Sequence, residues 1–436
     1  MTTTDTANAI PESVATFIER IADLCGEEHA GWAENFRACF ADTLLTTVRR
    51  HDDGTTFLLT GDIPAMWLRD STTQLRPYLA LAGEDDGLSD LIAGLVRQQF
   101  RYITIDPYAN AFNETPSGAS WDKDDRSDSS SPWLWERKYE VDSLCFPIQL
   151  AWLLYANTGR TDHFDDEFVS GTHRILDVFE TEQHHEDSPY FFIRDTDIPT
   201  ETLANDGKGS PVAHTGMTWS GFRPSDDACT YHYLVPSNMF ASVVMGYLER
   251  IFGGDILDDP SVAARAKALR ESITEGIETH AKTVNRDGET IYAFETDGLG
   301  HYNVMDDSNV PSLMAAPYLG YCEPDDPTYL ATRRTLLSDE NPYYYEGEYL
   351  KGIGSPHTPP RYVWPIALAI EAMTSGDRET KERILDRLVA TDAGTHLMHE
   401  GIDVDDPTKY TREWFSWSNM MFCELVMDYF GIRVKR

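Results

Sequence analysis

VDSLCFPIQLAWLLYANTGRTDHFDDEF, residues 141–168, reads as a helix, a stop and the start of a second helix. Val141, Leu144, Cys145, Ile148 and Trp152 recur at three- and four-residue spacing, the period of one buried helix face. The run ends at Tyr155-Ala-Asn-Thr-Gly159, where the glycine can take the left-handed conformation that closes a helix. An acidic start follows, Asp162 to Phe168. The same punctuation returns at Met373-Thr-Ser-Gly376, with a new start running from Asp377 to Leu388. Leu88, Leu91, Ile92, Leu95 and Val96 keep the helical period, as do Phe240, Val243, Val244 and Tyr247, then Ile366 and Ile370, then Phe422 and Leu425. Strand signals are few and short, the best being 56–60 and 190–193. No Pro/Ser linker divides two compositions, so the expectation is an all-α fold of paired helices in one domain, 1–436. A ring of helical hairpins, an α/α toroid, would bury both helix layers and gather the loops at one end; that step is an analogy of architecture, not a consequence of the period.

The composition narrows the partners. The 436 residues carry a formal net charge of −37, with 41% hydrophobic and 11% aromatic residues. The acids run through the whole chain, aromatic-rich stretches included, and Arg clearly outnumbers Lys. This suits a folded protein kept soluble in strong salt, where screening weakens self-repulsion. With no basic stripe to meet phosphates, nucleic acid and anionic membranes are not expected partners. The six cysteines, Cys25, Cys39, Cys145, Cys229, Cys322 and Cys423, form no CxxC or zinc spacing and read as buried free thiols. The start, MTTTDTANAIPESV, has neither a basic beginning nor an apolar core, so a cytoplasmic location is expected. Asn113-Glu114-Thr115 matches a glycosylation sequon by chance on that view.

Aromatic loops carrying acids supply the chemistry. In WSGFRPSDDACTYHYLVPSNMF, Trp219 to Phe240, the adjacent Asp226 and Asp227 sit among Trp219, Phe222, Arg223, Tyr231, His232 and Tyr233. Acids beside aromatic platforms suit sugar hydrolysis, in which one carboxyl protonates a leaving oxygen and another activates water. A loop that merely caps the next helix suits the same residues. In GDIPAMWLRDS, residues 61–71, Trp67 offers a sugar-sized apolar face, while Arg69 and Asp70 offer directional hydrogen bonds. Asp70 or Ser71 capping a helix, with Arg69 paired to the acid, is the plainer alternative. Near the C-terminus, His396-Leu-Met-His399-Glu400-Gly401 precedes Thr411-Arg-Glu-Trp-Phe-Ser-Trp-Ser-Asn419. Glu400 is expected at a helix-to-loop switch, where an ionised base can meet water. His396 and His399 invite a zinc reading, but the order is not HExxH and no third ligand suggests itself. Asp124-Asp-Arg-Ser-Asp128 has the DDxxD form of a magnesium-diphosphate site, yet lies in a Ser/Asp-rich stretch that reads as a solvated loop. His301 to Asn309 and Arg361-Tyr-Val-Trp364-Pro365 add further aromatic loops, which together look like a carbohydrate cleft.

Read together, GDIPAMWLRDST, DPYANAFNE, KYEVDSLCFP, GFRPSDDACTYHYLVPSNMF, MDDSNVPSLMAAPYLGY and the HEG…TREWFSWSN tail resemble glycoside hydrolase family 125, in that family's order from Gly61 to Asn419. The resemblance implies an (α/α)6 barrel and an exo-acting α-mannosidase that prefers α-1,6 linkages, inverts the anomeric carbon and uses no metal or other cofactor. It implies a mannose-containing glycan as substrate. The family's general acid falls on the Asp226–Asp227 pair, with Asp227 the preferred member, and its general base falls on Glu400. Trp67, Arg69 and Asp70 match the substrate-contacting motif, and Asn238, His301, Asn303 and Trp364 are expected to join it. Gly401 stands where a Ser is commoner, which bears on how the base is oriented. Inversion requires carboxyls roughly 6.5 to 9.5 Å apart. A glucoamylase-like hydrolase of the same architecture and a non-catalytic mannose-binding protein are the competing readings.

Overall fold

The computed structural model describes residues 9–436; the leader reading of the first residues falls largely on 1–8, outside the described residues. The chain winds through α1 (Glu12–Cys25), α2 (Ala30–Asp42), α3 (Leu68–Leu75), α4 (Asp86–Ile105), α5 (Val141–Thr158), α6 (Asp166–Glu182), α7 (Val235–Ile251), α8 (Pro260–His280), α9 (Ala316–Leu319), α10 (Pro327–Leu336), α11 (Pro365–Met373), α12 (Arg378–Ala390) and α13 (Ser416–Tyr429). From α2 onward, burial sorts these by parity. Nearly every side chain of α3, α5, α7, α9, α11 and α13 is buried, whereas the even-numbered helices bury one face. Neighbours in the inner layer touch, as in α3 with α5, α5 with α7, α7 with α9, α11 with α13 and α13 with α3. Around them α4 packs on α6, α6 on α8 and α12 on α2, and α1 lies against α2. This is the (α/α)6 barrel.

The two layers start differently. Asp85, Asp165, Asp259, Asp326 and Asp377 cap α4, α6, α8, α10 and α12, each accepting first-turn N–H groups. Each such cap contributes about 1 kcal/mol. The inner α3, α5, α7, α11 and α13 instead enter from extended residues Trp67, Glu140, Leu234, Trp364 and Phe415, without a side-chain cap. Their positive helix ends therefore stay free to meet the acids and oxygens gathered at that end of the barrel. The expected stop at Gly159 is observed, with φ +74, and Gly376 is likewise left-handed at φ +69.

Short antiparallel pairings build the loop end. Met66–Trp67, Ala111–Phe112 and Leu134–Glu136 form one small sheet, and Tyr362–Val363, Gly401–Asp403 and Tyr410–Thr411 form another. Of the expected strands, Thr56–Leu58 pairs with Val48–Arg50 and Phe192–Ile193 with Arg126–Ser127. The six cysteines are free thiols, and all but Cys322 are buried. Asn113 is also buried, its Nδ2 donating to the carbonyls of Ala119, Pro132 and Leu134, so the sequon has no free amide to modify. No helix among the described residues is long and apolar enough to cross a membrane.

Candidate active site

A pocket of about 180 Å³ opens at the loop end, lined among others by Trp67, Arg69, Asp70, Asp226, His357, Trp364, Glu400, Arg412 and Trp417. The two acids of the aromatic segment reach it from a tight hairpin. Arg223 N–H donates to Asp227 O at 2.8 Å, Asp226 N–H donates to Arg223 O at 2.9 Å, and Phe222 bridges Ala228. Asp226 takes the left-handed turn position, φ +69, so the neighbouring side chains leave the backbone toward different surroundings.

Asp226 faces the pocket and the cations beneath it. Its Oδ1 lies 3.4 Å from Arg69 Nη2 and 3.4 Å from Asn110 Nδ2, and its backbone oxygen accepts from Lys138 Nζ at 2.8 Å. Burial opposes ionisation of Asp226, but Arg69, Lys138 and a hydrogen bond from Glu140 outweigh it and bring its carboxyl down to about 2. Glu140 is pushed the other way, by burial and by the charges of Asp226 and Asp142, against the pull of Arg69. Arg69 is thus the hub of an acid cluster, with Glu140 at 2.6 Å, Asp142 at 3.0 Å and Asp70 at 3.6 Å. It also lies over the Trp417 ring, 5.6 Å from the centroid. Asp70, buried at the pocket wall, is raised to about 6 by desolvation, with Arg69 and Arg412 opposing.

Asp227 lies behind this turn, with its side chain 1% exposed. Its Oδ1 meets His357 Nδ1 at 3.1 Å, while Oδ2 has no hydrogen-bond partner among the described residues. Burial pulls the His357 imidazolium down, but Asp227, with help from Glu400 and Asp226, lifts it to about 9. Glu400 sits across the pocket in a bend that leads into the strand Gly401–Asp403, its N–H donating to Thr411 O at 3.1 Å. Arg412 Nη1 lies 3.7 Å from its Oε1 and also holds Asp62. Three N–H donors on the wall, Trp67 Nε1, Trp417 Nε1 and Asn309 Nδ2, have no partner among the described residues.

The sequence model of the metal-independent α-mannosidases, glycoside hydrolase family 125, matches residues 29–427. The chain belongs to family 125. A metal-independent α-mannosidase from Streptococcus pneumoniae, solved as a non-productive substrate complex with α-1,6-mannobiose, is 56% identical, with a TM-score of 0.96 over 97% of this chain and 99% of that one. The meiotically up-regulated gene 157 protein of Schizosaccharomyces pombe is 38% identical over 438 residues, covering 96% of this chain and 85% of the relative. The glucoamylase of Saccharomycopsis fibuligera, at 11% identity and a TM-score of 0.56 over 100% of this chain and 99% of that one, shares the fold.

Within this family 125 chain, the pocket gathers Trp67, Arg69, Asp70, Trp364 and Glu400 as expected from sequence, and Asp227 adjoins it through His357. Three expected contacts lie elsewhere. Asn238 is fully buried in α7 and spends its amide on Thr218 and Leu234, fastening the segment before the hairpin. His301 is 64% exposed at the side chain and pairs with Asp297 at 2.6 Å. Asn303 donates to Glu295 at 3.1 Å, and Glu295 in turn holds Arg223 at 2.7 Å. Nor does Glu400 follow a helix: His396 is left-handed and close to Asp392, whereas His399 stacks on Tyr410, so the two rings are committed to different partners. Two of the three DDxxD acids are held by arginines, Asp125 by Arg194 and Asp128 by Arg137, and Asp124 is exposed. Gly401 lies close under its neighbours, where an added Cβ would meet Thr411 Oγ1 and Trp364 Nε1 at 3.3 Å. Trp417, Arg412 and Asn309 stood inside quoted motifs, but His357 and Glu201 carried no signal of pattern or spacing.

Proposed function

We propose that this family 125 α-mannosidase removes non-reducing terminal α-1,6-linked mannose with inversion, the whole chain acting as one catalytic domain. The observation that carries the reading is the contrast between its carboxyls. Asp226 is held ionised by Arg69 and Lys138 and is a poor proton donor. Asp227 leaves Oδ2 unpartnered and meets His357 at 3.1 Å through Oδ1, so the two share a proton that the pair can pass to the glycosidic oxygen. Glu400, with Arg412 beside it, suits the base that takes a proton from water. Trp67 Nε1, Trp417 Nε1 and Asn309 Nδ2 are buried donors without a protein partner in the pocket lining, which suits sugar hydroxyls that reach them. The α-1,6 preference is supported by the disaccharide bound to the S. pneumoniae relative. A cytoplasmic location belongs to the same proposal and is checked by cell fractionation.

The test is hydrolysis of α-1,6-mannobiose in high potassium chloride, followed by proton NMR with and without a chelator. β-Mannose as the first product, insensitive to the chelator, is expected. The chelator arm has a specific target, since Glu201, Asp227 and His357 bring ligand atoms within 4.8 Å of one another. α-Mannose first would overturn inversion. No release from any mannobiose or from maltose would leave a mannose-binding protein.

A further inference from the structure

The Ser- and Asp-rich loop that follows Asn113 has more order than its composition suggests. Asn113 fastens its base through Ala119, Pro132 and Leu134. Arg126–Ser127 pairs with Phe192–Ile193. Arg194 grips Asp125 through two hydrogen bonds of 2.8 and 2.7 Å, and Arg137 grips Asp128 at 2.5 Å. Trp121 donates its own N–H to Trp135 O at 2.9 Å, and the Trp135 ring packs against the cluster holding Trp67. A loop pinned at so many points nevertheless leaves the Trp121 residue 54% exposed, at the lining of the pocket. Exposed indole is apolar area still available to a ligand, and a flat ring is the common partner of a sugar's C–H face.

The wall on which Trp121 stands says which part of the ligand it meets. Arg194, gripping Asp125 of the same loop, also holds Glu201 at 2.6 Å. Glu201 in turn takes Lys138 at 2.9 Å and lies with Asp227 and His357 in one cluster. Trp121 is also the exposed member of a lining in which Arg69, Asp70, Trp364 and Glu400 are buried, so it stands toward the mouth, where an exo-acting enzyme meets the leaving part of its substrate. In an inverting hydrolysis the acid faces the leaving oxygen and the base faces the attacking water. We propose that Trp121 is the platform for the leaving sugar, stacking on the mannose unit that departs, with Glu201 and Arg194 beside it for that sugar's hydroxyls. This rests on the assignment of Asp227 and Glu400 above.

The test compares a substrate that has a leaving sugar with one that has none. On the mannobiose that wild-type enzyme cleaves best, Trp121→Ala should lower kcat/KM about ten-fold, as expected for loss of one aromatic stacking contact. On α-mannosyl fluoride, whose leaving group is fluoride, the same variant should stay within about two-fold of wild type. Trp121→Phe should recover most of the mannobiose rate. An equal fall on both substrates, or no fall on either, overturns the platform. Wild-type enzyme that cleaves the fluoride but no mannobiose would sink the substrate assignment instead. In that case calorimetric binding of mannobiose to wild type and Trp121→Ala reads the platform, and equal affinities overturn it.

Discussion

His357 Nδ1 meets Asp227 Oδ1 at 3.1 Å, joining residues 130 positions apart at the edge of the pocket. The contact puts a cation beside the acid, because Asp227, Glu400 and Asp226 together lift His357 to about 9 against the effect of burial. A histidine raised in the folded state contributes stability that is complete below its unfolded value, about 6.5, and is lost as the pH rises through about 9. His357→Gln should therefore unfold at lower urea than wild type at pH 6, and the gap should close by pH 10. A gap of equal size at both pH values would mean that His357 acts by packing alone. Since the pair holds one proton up to about 9, wild-type kcat/KM should also fall as the pH rises through that value.

Asp227→Asn and Glu400→Gln each remove one half of the proton traffic while keeping shape. General acid or base catalysis is worth on the order of 10²–10⁴-fold, so kcat should drop by at least about that much in both. Calorimetric affinity for α-1,6-mannobiose should stay within about three-fold, since the N–H donors and aromatic walls are untouched. Asp226→Asn is the control that separates the neighbours. Full activity in Asp227→Asn with loss in Asp226→Asn would move the acid one residue back.

Much of this architecture was legible because helix ends are local chemistry. Asp caps and left-handed glycines act over a turn, so Asp377 and Gly159 announced helix boundaries without knowledge of the fold. Trp67, Asp70 and Glu400 could be found for a related reason: each sits at the entry to an inner helix or strand, in a compact motif of its own. His357 could not, because its chemistry comes from Asp227, 130 positions away on another loop, a contact that only the assembled barrel makes. Asn238 misled in the opposite sense. A polar residue in an aromatic motif looks like a ligand contact until the backbone at Thr218 is seen to consume its amide. The sequence offers no physical ground for which of Asp226 and Asp227 faces Arg69, and the turn supplies it.

Asp70 offers a trade between stability and activity. Burial raises its carboxyl to about 6, above the ordinary value near 4, so the folded protein binds that proton more tightly than the unfolded chain. By linkage, stability falls as the pH rises between those two values and stays lower above them. Asp70→Asn removes the penalty, and Arg69 keeps Asp226 as a counter-ion, with Glu140 and Asp142 still in contact. At pH 7.5 the variant should be more stable by about 1–3 kcal/mol in urea unfolding, yet less active, since a pocket-wall acceptor is lost. The advantage should vanish at pH 4. A variant less stable than wild type at pH 7.5 would show that the ionised carboxylate holds Arg69 and Arg412 in place.

The charge balance predicts how the enzyme responds to salt. With 73 acidic and 36 basic residues, the arginines are outnumbered, and several are already divided between two acids. Arg97 serves Asp162 and Asp165, Arg160 serves Asp90 and Asp162, and Arg265 serves Asp177 and Glu180. The remaining carboxylates repel one another across the surface, over a range that falls from about 10 Å in 0.1 M salt to about 3 Å in 1 M. Salt also weakens the exposed ion pairs, but these are worth only about 0–1 kcal/mol each. Screening of the surplus should win, so the thermal midpoint should rise by several degrees, about 3 kcal/mol for a chain of this size, between 0.1 and 1 M potassium chloride. Sorbitol at matched osmolality should not reproduce the rise. A midpoint that falls with salt, or climbs equally in sorbitol, would detach the acidic composition from adaptation to a saline medium.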